Sequence, residues 1–169
     1  APEVLDLLQQ LAATGCVEFL AEPYSHGLSS LGNVENFISE TNRQAKKIKQ
    51  LFGQNPKVFR NSSLIYNDEI GAMVADMGFK GIMVEGAKHI LGWKSPHYVY
   101  SCAQDSRLSL ILRDYKLSDD ISLRFNDASW AEYPLMADKW LGWVSSLPEG
   151  ENVVGIKMEL SALGFYQPP

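Results

Sequence analysis

A chain of 169 residues, 46% hydrophobic and 21% charged, carries enough apolar material for one ordinary globular core. Its net charge of −5 argues against nucleic acid as a partner, because phosphate binding needs a basic face. No apolar run approaches the roughly 20 residues of a membrane span and no signal-peptide pattern opens the chain, so no membrane partner is expected.

In chain order, Val4, Leu5, Leu8, Leu11 and Ala12 recur at helical spacing, and Gly15 closes that run. "CVEFL", Cys16 to Leu20, predicts a strand. Its cysteine is expected in the core, and with only Cys102 besides there is no disulfide framework, which fits a reducing, cytoplasmic setting. Asn33 is a good helix cap before the stripe Val34, Phe37, Ile38, Ala45, Ile48, Leu51 and Phe52, which ends at Gly53. "KVF" predicts the next strand, and Asn67 caps a third helix that buries Ile70, Met73, Val74 and Met77 and stops at Gly78. "KGIMVE" and "LSLILR" predict two more strands, separated by a long connection from Glu85 to Leu108 of the kind that is often functional. Pro134 suits the first turn of a helix reaching Leu147, and "NVVGIKM", Asn152 to Met158, predicts a last strand. The chain starts inside a helix without Met and ends just past that strand, so residues 1–169 are expected to be one partial domain of a longer protein.

Short apolar strands alternating with helices predict an α/β fold with a parallel sheet. In a barrel or an open wound sheet alike, ligands bind beyond the C-terminal strand ends. The polar residues there are Glu18, Glu22, Tyr24 and His26; Arg60, Asn61, Ser62 and Ser63; Glu85, Lys88, His89, Trp93 and His97; Arg113, Asp119, Asp120, Arg124 and Trp130; and Glu159 and Ser161. Carboxylates and tryptophans together suggest a sugar site. Plainer readings stand beside this one: Glu18 as a structural carboxylate, Trp93, Trp140 and Trp143 as core, and "SDD" at Ser118–Asp120 as a helix cap. The histidines lack metal spacing, so neither metal nor cofactor is expected, and Ser62 and Ser63 lack a G-x-S-x-G frame.

Longer motifs go further. "CVEFLAEPYSHGLSSL", "VFRNSSLIYND", "MGFKGIMVEGAKHILGWKSPHYVY" and "LSDDISLRFNDASWAEYPLMADKW" occur in that order. Together they resemble the α-amylase-like branch of glycoside hydrolase family 57, collinearly over nearly the whole chain. The resemblance implies parallel βα units forming part of an incomplete seven-stranded TIM-like barrel, open in this fragment. It implies an α-glucan or maltooligosaccharide as partner. It also implies retaining cleavage by a Glu nucleophile and an Asp acid/base, with two carboxyls about 5–5.5 Å apart.

The acid/base role falls on Asp120, with Asp119 as second choice, but the nucleophile position of the family's F-R-N-T-E-L motif is Ser63 here. Near the last strand, the family's M-D-Y-E-T-F-G becomes "MELSALG", with Glu159 and Ser161 at its acidic positions. Weak or lost hydrolysis is therefore expected, with glucan binding retained through Glu18, Glu22, His26, Arg60, Arg124, Trp130 and Glu159. An active hydrolase with a rerouted water-activating carboxylate and a non-catalytic interaction module are the alternatives. An open barrel edge is expected to expose apolar surface and favour self-association.

Overall fold

The structure, a computed structural model, describes residues 2–162. The chain divides into two compact units, Ala1–Val84 with Tyr100–Leu110, and Glu85–Val99 with Ile111–Pro169. Four strands, β1 (Val58–Arg60), β2 (Gly81–Glu85), β3 (Val99–Ser101) and β4 (Ser109–Arg113), hydrogen-bond in the order β1-β2-β4-β3. β1 and β2 are parallel, with Phe59 opposite Ile82. The sheet is open and mostly parallel but mixed, which corrects the all-parallel expectation. The cause is β3, a strand inside the long connection that was not anticipated. Its link to β4 is closed by the Cys102 N–H on the Leu108 carbonyl at 3.0 Å, too short for a parallel crossover.

In the first unit the helices follow the sequence. They are α1 (Pro2–Ala13), α2 (Val34–Phe52) and α3 (Asp68–Asp76). The Asn33 side chain accepts from the Asn36 N–H at 2.9 Å, and Asn67 accepts from the Ile70 N–H at 2.8 Å, so both expected caps form. Gly53 ends α2 at φ 71°, a left-handed conformation that suits glycine. The core gathers around Phe59, which meets Phe37 edge-on at 5.6 Å and Phe79 at 5.5 Å. Ile70, Val74, Ile82 and Leu108 complete it, all nearly free of solvent.

"CVEFL" is not a ladder strand. None of its five residues pairs in a ladder, and Ala21, directly after them, makes an isolated parallel bridge to Phe59. Upstream, Gln54 takes the place of a neighbouring strand. Its Nε2 donates to the Val17 carbonyl at 2.7 Å, and its Oε1 accepts from the Phe19 N–H at 2.9 Å. Cys16 precedes this anchored stretch and is exposed, so the core assignment for it is corrected. The α1 stripe is likewise shallower than expected: Val4 and Leu11 are exposed, and Leu5, Leu8 and Ala12 are half-buried.

The second unit contains α4 (Lys88–Leu91), α5 (Tyr115–Asp119), a π-helical turn (Asp120–Arg124) and α6 (Ala137–Ser145). Pro134 stays in the turn ahead of α6 rather than opening it. "NVVGIKM" is pinned irregularly instead of forming a strand. Gly155 makes one parallel bridge to Arg113, the Asn152 and Val153 N–H groups share the His97 carbonyl, and the Lys157 N–H donates to Ser118 Oγ at 3.1 Å. A Cβ at Gly155 would stand 2.2 Å from the Leu112 carbonyl oxygen, so this close approach admits only glycine. Trp93 is 92% exposed, against the core reading, whereas Trp140 and Trp143 are half-buried. Among the described residues, no helix is long and apolar enough to cross a membrane.

Burial separates two aromatic substitutions. Phe59→Ala is expected to cost about 3–5 kcal/mol. Trp93→Ala should move stability by less than about 0.5 kcal/mol. Urea unfolding of both variants checks the contrast.

Candidate active site

β1 ends at Arg60, and the chain turns at once. Residues Ser62–Leu64 form one 3₁₀ turn in which Ser63 sits at φ 53°, ψ 23° and Leu64 at φ 56°. Left-handed backbone costs an L-residue roughly 1–2 kcal/mol, and two such residues in succession need support. Asn61 provides it from a fully buried position. Its Nδ2 donates to Ser30 Oγ and to the Ile65 carbonyl, each at 2.9 Å, and its Oδ1 accepts from the Ser62 N–H at 2.9 Å. The turn buries Leu64 and presents Ser63 to solvent. Ser62 is buried, and its Oγ has no hydrogen-bond partner among the described residues. No base hydrogen-bonds to Ser63 among the described residues, so nothing raises the nucleophilicity of its neutral hydroxyl.

Three of the expected binding residues meet beside this turn. Arg60 Nη1 donates to Glu22 Oε2 at 2.8 Å, and His26 Nδ1 lies 3.6 Å from the same oxygen. The group is partly open to water, with about a third of the Glu22 side chain exposed. Glu18 is exposed and takes no part in these ion pairs.

In the second unit Arg113, the last residue of β4, holds two carboxylates. Its Nη1 donates to Glu85 Oε1 at 2.9 Å and its Nη2 to Asp119 Oδ1. Burial opposes the Arg113 charge, but the hydrogen bonds to Asp119 and Glu85 outweigh it and raise the guanidinium's pKa further. Arg124 Nη1 donates to Asp120 Oδ1, and its Nη2 lies 4.0 Å from Asp119 Oδ2. A cleft of about 220 Å³ is lined by Arg113, Asp119, Ser122, Lys157 and Glu159, with Lys157 Nζ 3.1 Å from Glu159 Oε1. Asp120 is 1% exposed, and its Oδ2 is buried with no hydrogen-bond partner among the described residues. Such an orphaned oxygen needs a specific explanation. Trp130 follows the π-helical turn, half-buried and edge-on to Trp143 at 6.2 Å.

The structure therefore brings Glu22, His26 and Arg60 together in one unit, and Asp119, Asp120 and Arg124 in the other. Glu159 shares the cleft with Asp119. The sequence places Asn61 in the polar turn after the strand but does not show its supporting role, although an Asn directly after a strand end is a turn signal. It did not see Asp114 at all, although an Asp three residues before Leu117 has helix-cap spacing. Among the described residues, no cluster of three or more His, Cys, Asp or Glu could hold a metal ion.

Carboxylates, arginines and aromatic rings beyond the strand ends of an α/β fold are the equipment of a carbohydrate-active protein. The family model for glycosyl hydrolase family 57 matches residues 1–168, and the chain belongs to that family. A Methanocaldococcus jannaschii protein named "Putative alpha-amylase" is 46% identical over 164 residues, covering 96% of this chain. The chain spans 34% of that relative's length. The crystal structure of a 4-alpha-glucanotransferase from Thermococcus litoralis superposes with a TM-score of 0.77 at 15% identity, over 98% of this chain and 25% of the other. A GH57-type branching enzyme from Pyrococcus horikoshii gives 0.59 at 18% identity, over 70% and 24%. These two likenesses are of fold. The chain is thus an α-amylase-like member of a carbohydrate-active family.

The turn at Ser63 makes its own prediction. Ser63→Gly, which removes left-handed strain, should stabilise the protein by about 0.5–1 kcal/mol. Asn61→Ala, which strips three hydrogen bonds, should destabilise it by about 2 kcal/mol or more. Thermal or urea unfolding reads both, and a destabilised Ser63→Gly would contradict the turn.

Proposed function

We propose that this chain is part of a larger family 57 catalytic barrel that binds an α-glucan, with hydrolysis weak or lost because Ser63 stands where the family's nucleophile is Glu. One observation carries the reading: Ser63 is an exposed, neutral hydroxyl in the turn after β1, with no base bonded to it among the described residues. It can neither attack an anomeric carbon as a carboxylate does nor balance positive charge on the sugar ring. Loss of a covalent nucleophile lowers rate by on the order of 10³–10⁶. Asp120 takes the acid/base role, with Asp119 second. Asp120 keeps one carboxyl oxygen without a hydrogen-bond partner among the described residues, and that supports the order.

Glu22, His26 and Arg60 offer charged and neutral hydrogen-bonding groups for sugar hydroxyls in the first unit, with Glu18 as an outer contact. Arg124, Trp130 and Glu159 do so in the second. Self-association belongs to the same reading, since β3 ends the strand order with Val99 exposed and leaves an edge at which a second chain can add.

A second reading is favoured by the cleft, where Asp119 and Glu159 both line one cavity. Asp120, next to Asp119, would then protonate the leaving oxygen while Glu159 activates water, giving inversion across roughly 6.5–9.5 Å.

Calorimetric titration of the full chain with a maltooligosaccharide should give a Kd in the millimolar range or tighter, and no heat would overturn the proposal. Incubation with a labelled maltooligosaccharide should show little or no turnover, and Ser63→Glu should raise it. Substantial turnover by the native chain, lost in Asp120→Asn and yielding the inverted anomer by NMR, would establish the second reading instead.

A further inference from the structure

The second unit buries a histidine between two carboxylates. His97 is 7% exposed. Its Nδ1 lies 2.5 Å from Glu151 Oε2, and its Nε2 lies 2.7 Å from Asp114 Oδ2. A neutral imidazole has one N–H and one lone pair, so it can satisfy only one ionised carboxylate. The imidazolium donates to both. Burial works against that charge, but its hydrogen bonds to Asp114 and Glu151, and their negative charges, outweigh it and raise the His97 pKa above its ordinary 6.5. Glu151 is held below its usual value, first by the Ser95 hydroxyl and then by His97. Among the described residues, Asp114 and Glu151 are the charged groups that act on the ring.

Asp114 has a second task. Its Oδ1 accepts from the Leu117 N–H at 2.8 Å and caps α5, while its own N–H donates to the Gly155 carbonyl at 2.8 Å. α5 is only five residues long; it ends at Asp119 and runs directly into the turn that begins with Asp120. A helix of that length has no stability of its own and depends on its cap and packing. One Asp114 oxygen thus answers to His97 and the other to the helix that ends at Asp119 and leads directly into Asp120.

We propose that protonated His97 is a positioning residue: by fixing the Asp114 side chain that caps α5, it holds Asp119 and Asp120 in place. The latch itself stands independently of the glucan reading; its effect on ligand rests on that reading.

The direction with pH follows from linkage. A histidine whose folded pKa lies above its unfolded value stabilises in full below about pH 6.5, and that stabilisation is lost as pH rises through the folded pKa. In the full chain, the urea midpoint should therefore fall as pH rises through that range. His97→Gln should flatten the fall. Asp114→Asn keeps a capping side chain but loses one charge, and should move the fall to lower pH. NMR of the native protein should show the His97 ring titrating above 6.5.

With a maltooligosaccharide as probe, His97→Gln should bind about tenfold more weakly than the native chain at pH 6, the gap closing at pH above the folded pKa. A ring titrating at or below 6.5, a His97→Gln profile parallel to the native one, or a binding loss equal at every pH would overturn the proposal. If the native chain binds no glucan at any pH, the functional reading fails while the stability and NMR measurements still decide the latch.

Discussion

Burial of Phe59 sets the register of β1, and much of the first unit follows from it. Side chains alternate across a strand, so placing Phe59 against Phe37 and Phe79 turns Arg60 to the other face, where it meets Glu22. A slip of one residue would expose a large aromatic ring and bury a guanidinium, two penalties at once. The same register pairs Phe59 with Ala21 on one side and Ile82 on the other. It also decides where the strand stops, and therefore where the left-handed turn of Ser63 begins. The turn is held from below by Asn61, which has no solvent exposure and so cannot trade its hydrogen bonds for water.

The second unit is organised by charge rather than by a comparable aromatic core. Arg113 bridges Glu85 and Asp119, Arg124 joins Asp119 and Asp120, and His97 joins Asp114 and Glu151. Charged hydrogen bonds are directional, so they can hold short, irregular elements such as α5 and the π-helical turn that propensity alone would not. π-helical turns recur at functional sites because the extra residue re-aims a side chain. Here the turn opens with Asp120, whose second oxygen stays unpartnered among the described residues. Leaving a buried polar atom unpaired costs about 1–3 kcal/mol.

Family membership and activity rest on different residues. Membership follows from motifs spread along the chain, most of which serve packing, caps and turns. Activity rests on very few atoms, and exchanging one side chain at such a site can leave the fold's requirements untouched. Ser63 occupies its turn as an Asn-supported left-handed residue whatever its side chain can do. That separation is why descent from a hydrolase does not by itself establish hydrolysis.

By itself the sequence determined the elements with strong local signals. α2 lies between Asn33 and Gly53, α3 begins at Asn67, and β1, β2 and β4 fall on their apolar runs. These are local matters, because a cap or a periodic stripe involves residues a few positions apart. It also determined the family, through motif order. Tertiary structure alone decided the rest. It left "CVEFL" without a ladder and "NVVGIKM" with a single bridge, since a ladder needs a neighbour at the right register and Gln54, His97 and Ser118 hold those backbone groups instead. It exposed Trp93, which composition would have buried. It brought His97 between Asp114 and Glu151, 17 and 54 residues away, a pairing no local pattern encodes because it arises only when separate loops pack together.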